Sequence, residues 1–141
     1  MTRKEVHNIL DRPRRIAVKI KKLTVERDAL IGVLMPGGMD THDRVQRTQE
    51  DVMARVMAEV VDLDTEIERL RAERAFELVR LRKLLEGDDV RLVVVSMSYL
   101  GGKSVKWIAE ELHYVVKYVY QLRAEGLDEV AHLLEETEKG V

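Results

Sequence analysis

Leu100-Gly101-Gly102-Lys103-Ser104 is the run in this chain that comes nearest to a device for chemistry. A lysine and a hydroxyl behind glycines can hold phosphate oxygens and a magnesium ion, and the Val-rich stretch before them could feed such a loop. The first glycine of a GxxxxGK[ST] pattern would fall at residue 97, which is Met97, and the stretch left after Ser104 is too short for a parallel sheet with an acidic strand. Two glycines forming a tight connection, with Ser104 capping the next helix, fit the run better. The histidines are His7, His42, His113 and His132. Of these, His42 stands with Asp40 and Asp43 in a Gly-rich segment, where capping and turn roles fit better than metal ligation. No nucleophile, base and orienting group fall at a catalytic spacing. An enzyme is not expected, and neither is a cofactor or a metal.

Composition narrows the class further. Charged residues are 35% of the 141 and aromatics only 4%, with few Gly and Pro, a mixture that favours long exposed helices over a sheet protein. Cys is absent, so disulfides, thiolate zinc sites and cysteine nucleophiles are excluded. The first ten residues lack the apolar core of a signal peptide and no run nears the length of a membrane span, so the expectation is a protein of the bacterial host cytoplasm, away from membranes. Net charge is −2. Residues 1–34 carry nine Lys/Arg against four Asp/Glu, residues 35–87 nine against twelve, and residues 88–141 six against ten. Positive charge therefore gathers at the start of the chain.

Two long helices are expected first. Val6, Ile9, Ile16, Ile20, Leu23, Leu30 and Leu34 follow steps of three and four, with Pro13 and Arg27 filling seam positions. Regular helix should begin near Asp11, with Pro13 in its first turn, and Met35-Pro36-Gly37-Gly38 should end it. Asp40 or Thr41 is then an N-cap for a second helix over about 41–86, whose stripe is Met53, Val56, Val60, Leu63, Ile67, Leu70, Leu81 and Leu84, interrupted at Arg74 and Glu77. Neither helix can bury its stripe alone, so the pattern predicts an antiparallel coiled-coil hairpin over 1–86, and a homodimer through the part that overhangs. Gly87-Asp88-Asp89 breaks the second helix. Residues 90–100 are strand-like by propensity at Leu92-Val93-Val94-Val95, but no strand exists to pair with them, so they are read as helix. Further helices are expected over 104–112, 116–126 and 127–138. The fold class is all-α: a long helical hairpin over 1–86, then a three- to four-helix bundle over 88–141.

Within that bundle, Ile108, Ala109 and Leu112 stripe one short helix, and Val119 and Leu122 stripe the next across a short turn. The small residue suits a close approach of two helices, and the spacing is that of a helix-turn-helix. Tyr114 also fits an apolar site of the pattern. The turn position four after Ala109, often glycine because the backbone there takes positive φ, is His113. If the second helix enters a major groove, its outward face offers Val115, Val116, Lys117, Tyr120, Gln121 and Ala124, with Arg123 at the flank. Gln121 suits adenine and Lys117 guanine or a phosphate, the two valines can touch only thymine methyls or another protein, and Lys103 and Lys106 can hold phosphates.

Tyr99-Leu100 before the glycines, Lys103-Ser104, the run Trp107-Ile108-Ala109-Glu110-Glu111-Leu112-His113-Tyr114 and then Val119-Tyr120-Gln121-Leu122 together resemble small phage and prophage proteins of Gram-positive bacteria. These are late-gene transcriptional regulators of the ArpU and RinA type, which join a helical coiled-coil region to a helix-turn-helix similar to region four of sigma factors. The LDTEIERL segment and the Met-Pro-Gly-Gly loop are similar too, so the resemblance covers most of the chain. It implies a regulator that binds promoter double-stranded DNA through Lys103, Lys106, Val116, Lys117, Tyr120, Gln121 and Arg123. One departure stands out. A serine and two basic residues are usual after the turn, where this chain has Val115, Val116 and Lys117, so an N-cap and one positive charge are lost. Two other readings stay open: a module that docks on RNA polymerase or another regulator without reading DNA, and a subunit of a phage DNA-packaging assembly.

Overall fold

The computed structural model describes residues 1–34 and 46–139. Among them every regular element is helical and none is a strand, as the composition predicts: α1 (Arg3–Leu10), α2 (Arg12–Leu34), α3 (Gln46–Leu84), α4 (Val90–Tyr99), α5 (Val105–Leu112) and α6 (Val116–Lys139). The Met35-Pro36-Gly37-Gly38 stop, the Asp40 or Thr41 cap and the group of Asp40, His42 and Asp43 lie outside the described residues.

The first helix read from the pattern is two helices. Thr2 opens α1 with a capping box: its hydroxyl accepts from the Glu5 amide at 3.2 Å, and the Glu5 carboxylate accepts from the Thr2 amide at 3.1 Å. Asp11 closes α1, and α2 starts at the next residue with Pro13 in its first turn, where a missing N–H leaves no hydrogen bond unmade.

Packing groups Met1–Arg15 with Ala75–Val141 as one compact unit and Ile16–Arg74 as another. The sequence places the division between 86 and 88 instead. The difference arises because apolar periodicity marks a buried face but not its partner. In the first unit Val6 and Leu10 of α1 are fully buried with Leu81 and Leu85, with Leu92 and Val95 of α4, and with Leu127, Val130 and Ala131 of α6. The stripe expected to run through one hairpin is thus divided, and its ends serve this cluster. Polar ties hold α1 on α6: the Met1 ammonium lies 2.9 Å from Glu135, and the Arg3 guanidinium meets Asp128 at 2.8 and 2.7 Å. The Asp128 carboxyl is lowered by Arg3, first through the hydrogen bond, and the Met1 amine is raised by its bond to Glu135. His7 Nδ1 also sits 2.7 Å from the Tyr99 hydroxyl at the end of α4. Glu77, which breaks the apolar stripe of α3, is buried and paired with Arg80 at 2.9 Å and Arg12 at 3.6 Å.

In the second unit, Ile16, Ile67 and Leu70 are buried. Arg27 of α2 donates to Asp64 of α3 at 2.9 Å while also contacting Asp28. Val18 and Val25, one heptad apart on α2, and Met57 and Val61, one turn apart on α3, remain exposed.

Residues 90–100 are helical despite their β-branched run. Asp89 caps α4 by accepting from the Arg91 amide at 2.9 Å, and Arg91 in turn holds the Asp89 carboxyl below the usual carboxylate range. Neighbouring side chains of α4 serve two clusters, Val95 the one above and Val94 one shared with α5 and α6. The final two helices expected, 116–126 and 127–138, are a single helix. Gly126 lies inside it because α4 comes too close for a side chain. A Cβ there would stand 2.5 Å from Val95 Cγ2 and 2.7 Å from the Arg91 carbonyl oxygen. This glycine is a packing residue and not a break.

Candidate nucleic-acid interface

The site is built on the connection from α4 to α5. Gly102 takes φ +65°, a left-handed conformation natural to glycine, and Ser104 follows as the N-cap of α5, accepting from the Trp107 amide at 3.1 Å. The glycine-lysine-serine run therefore does the turn and capping work expected of it. In α5, Val105, Ile108 and Ala109 face inward and pack with Val94, Val119 and Leu122, while Leu112 is partly buried against them. Ala109 is only 4% exposed.

A three-residue connection, 113–115, joins α5 to α6. His113 adopts φ 59° and ψ 40°, the one non-glycine among the described residues with positive φ. This is the position, four after Ala109, where the sequence pattern calls for such a backbone. The turn is closed by the His113 and Tyr114 amides, both donating to the Ala109 carbonyl, the second at 2.9 Å. Val115 then stands where an N-cap belongs. Its carbonyl accepts from Tyr118 and Val119 at 3.1 and 3.2 Å, but its side chain has no oxygen to offer the free amides of the first turn.

With Val119 and Leu122 directed inward, the helical repeat turns Val116, Lys117, Tyr120 and Gln121 outward, and all four are exposed. Val115, 71% exposed, precedes them. Arg123 is half-buried at the flank, its guanidinium 5.2 Å from the centre of the Tyr120 ring. Lys103 and Lys106 are exposed around the start of α5, with the Lys103 ammonium 4.7 Å from the Trp107 ring centre. Gln121 Nε2 donates to Glu125 at 3.1 Å, so one of its donors is engaged within the helix.

Two aromatic residues enlarge this picture. Tyr114, expected as an apolar site of the pattern, is exposed instead and meets Tyr118 edge-to-face at 5.0 Å. Trp107, also exposed, presents its ring under Lys103. Sequence reasoning did not single out Tyr118 or this lysine–tryptophan pair. The four-residue spacings, Tyr114 to Tyr118 and Lys103 to Trp107, are the signal available for both.

Charge at this end of the chain is more polarised than the count for residues 88–141 implies. Residues 99–124 hold four Lys/Arg against two Asp/Glu, and the remainder of 88–141 holds two against eight. Acidity belongs to the far part of α6 and to the start of α4. Among the described residues, no group of three or more His, Asp or Glu side chains could hold a metal ion. No described helix is long and apolar enough to cross a membrane. No protein-family model, curated protein or solved structure matches this chain.

Proposed function

We propose that this chain is a transcriptional regulator of the phage type that binds promoter DNA, with α5 and α6 acting as a helix-turn-helix and the start of α6 entering the major groove. The observation that carries this reading is the division of α6 into two faces. Val119 and Leu122 are fixed in a buried cluster with Ala109, while Val116, Lys117, Tyr120 and Gln121 stand in solvent on the opposite side. A helix held so firmly on one side and left bare on the other suits insertion into a groove. Lys103, Lys106 and Arg123 supply phosphate contacts. In the second unit, the proposed antiparallel pairing of α2 with α3 is supported by the bond from Arg27 to Asp64, and the exposed valines at heptad spacing on α2 would pair with a second copy. The regulator acts as a homodimer in the bacterial host cytoplasm.

Mobility-shift titration against duplexes selected from a random-sequence pool tests this. The double variant Lys117→Ala, Gln121→Ala should weaken binding by about tenfold or more, from loss of one base pairing and one phosphate or guanine contact. Unchanged affinity would refute the assignment of these two residues.

A second reading, docking on RNA polymerase or another regulator without DNA recognition, is favoured by the exposed Val115, Tyr114 and Tyr118 at the start of α6, since apolar and aromatic clusters of this sort serve protein interfaces. Binding to purified polymerase, together with failure to select any duplex, would establish it in place of the first.

A further inference from the structure

We infer that the α6 face discriminates sequence chiefly by apolar contact with thymine methyl groups, so that its ligand is duplex DNA with thymines at the contacted steps; this rests on the DNA-binding reading above. On the outward face, hydrogen-bond readers are scarce. Lys117 is a point charge with rotatable donors and a weak basis for choosing one base. Gln121 already spends one donor on Glu125, at 3.1 Å. The apolar surface is larger: Val115 at 71% exposure, Tyr120 at 52% and Val116 at 43% stand open to solvent at the helix start. Among the base edges of the major groove, the apolar group is the C5-methyl of thymine. Val115 at the N-cap position offers no capping oxygen and no polar reader, and with Val116, the first residue of α6, it presents branched methyls instead. Electrostatics favour nucleic acid as the occupant over a neutral or basic protein surface. The surrounding residues 99–124 have a local excess of positive charge, with Lys103, Lys106, Lys117 and Arg123 available to phosphates.

The experiment uses the full chain and duplexes selected from a random-sequence pool, each synthesised a second time with deoxyuridine replacing thymidine, which removes only the methyl groups. Affinity at fixed salt should fall by roughly fourfold for each contacted methyl, the worth of one buried methylene-sized group, while the salt dependence stays the same. The double variant Val115→Ala, Val116→Ala should discriminate between the two duplexes clearly less than the wild-type chain does. Equal affinity of the wild-type chain for thymidine and deoxyuridine duplexes would overturn the inference and leave the DNA-binding reading standing. Full discrimination retained by the valine variant would overturn it as well. Failure to select any duplex would overturn both the inference and the reading on which it rests.

Discussion

His113 carries a backbone conformation that most residues adopt only at a cost, with φ 59° and ψ 40° in the turn between α5 and α6. Replacing it by glycine removes that cost while adding some freedom to the unfolded chain, and the first effect is larger. His113→Gly should therefore stabilise the protein by about 0.5–1 kcal/mol, read as a rise in the midpoint of chemical denaturation. Two residues further on, Val115 leaves the first amides of α6 without a side-chain acceptor. Val115→Ser supplies one and should add about 1 kcal/mol, again by denaturation midpoint. At Gly126 the sign reverses. A methyl group there would meet the Arg91 carbonyl oxygen at 2.7 Å, which belongs to backbone and cannot swing aside. Gly126→Ala should destabilise by about 1–3 kcal/mol, the usual range for overpacking, even though alanine is the better helix former.

At the scale of elements, α1 is held on α6 by opposite charges, and these respond to pH in opposite directions. The Asp128 carboxyl is depressed by Arg3, so its contribution is present above the ordinary carboxylate range and is lost as pH falls through the depressed value. The Met1 amine is raised above 8.0 by Glu135, so its contribution is full below that value and is lost as pH rises through the raised one. Both pairs lie near the surface and are screened. The difference in melting temperature between the wild type and Arg3→Ala should be small at pH 7, shrink in high salt and close in acid; a difference that persists in acid would assign Arg3 a packing role. Local signals made much of this level legible. Asp89 and Ser104 cap where their residue types suggested, Pro13 falls in a first turn, and residues 90–100 are helical because no strand accompanies them. What escaped was long-range. Gly126 reads as a break in any local window, and only the proximity of α4 explains it. The apolar stripes of α1, α2 and α3 carry one period throughout, so nothing in that period reveals that Val6 and Leu81 share a core with α6. Arg74 and Glu77 did carry a hint, since the interruption of the stripe falls at the boundary between the two compact units, Arg74 and Ala75.

For the whole molecule, a net charge of −2 conceals a local excess of positive charge over residues 99–124. The proposed interface was legible in part. His113 and Ala109 behave as the spacing requires, and Tyr120 is exposed as the outward face predicts, while Tyr114 is exposed where the pattern expects an apolar site. If Lys103, Lys106, Lys117 and Arg123 each neutralise one phosphate, the logarithm of affinity should fall with that of salt at a slope of about −3.6 for one copy and about −7 for a dimer. Sedimentation at the same concentrations checks the stoichiometry. The central claim is that duplex DNA lies on the outward face of the first turns of α6. Amide chemical-shift mapping of the labelled chain, titrated with a selected duplex, tests it most directly. The account predicts large shifts for residues 103–106 and 115–123 and small ones for residues 127–138. Shifts confined to the basic stretch of α2, with α6 undisturbed, would contradict it.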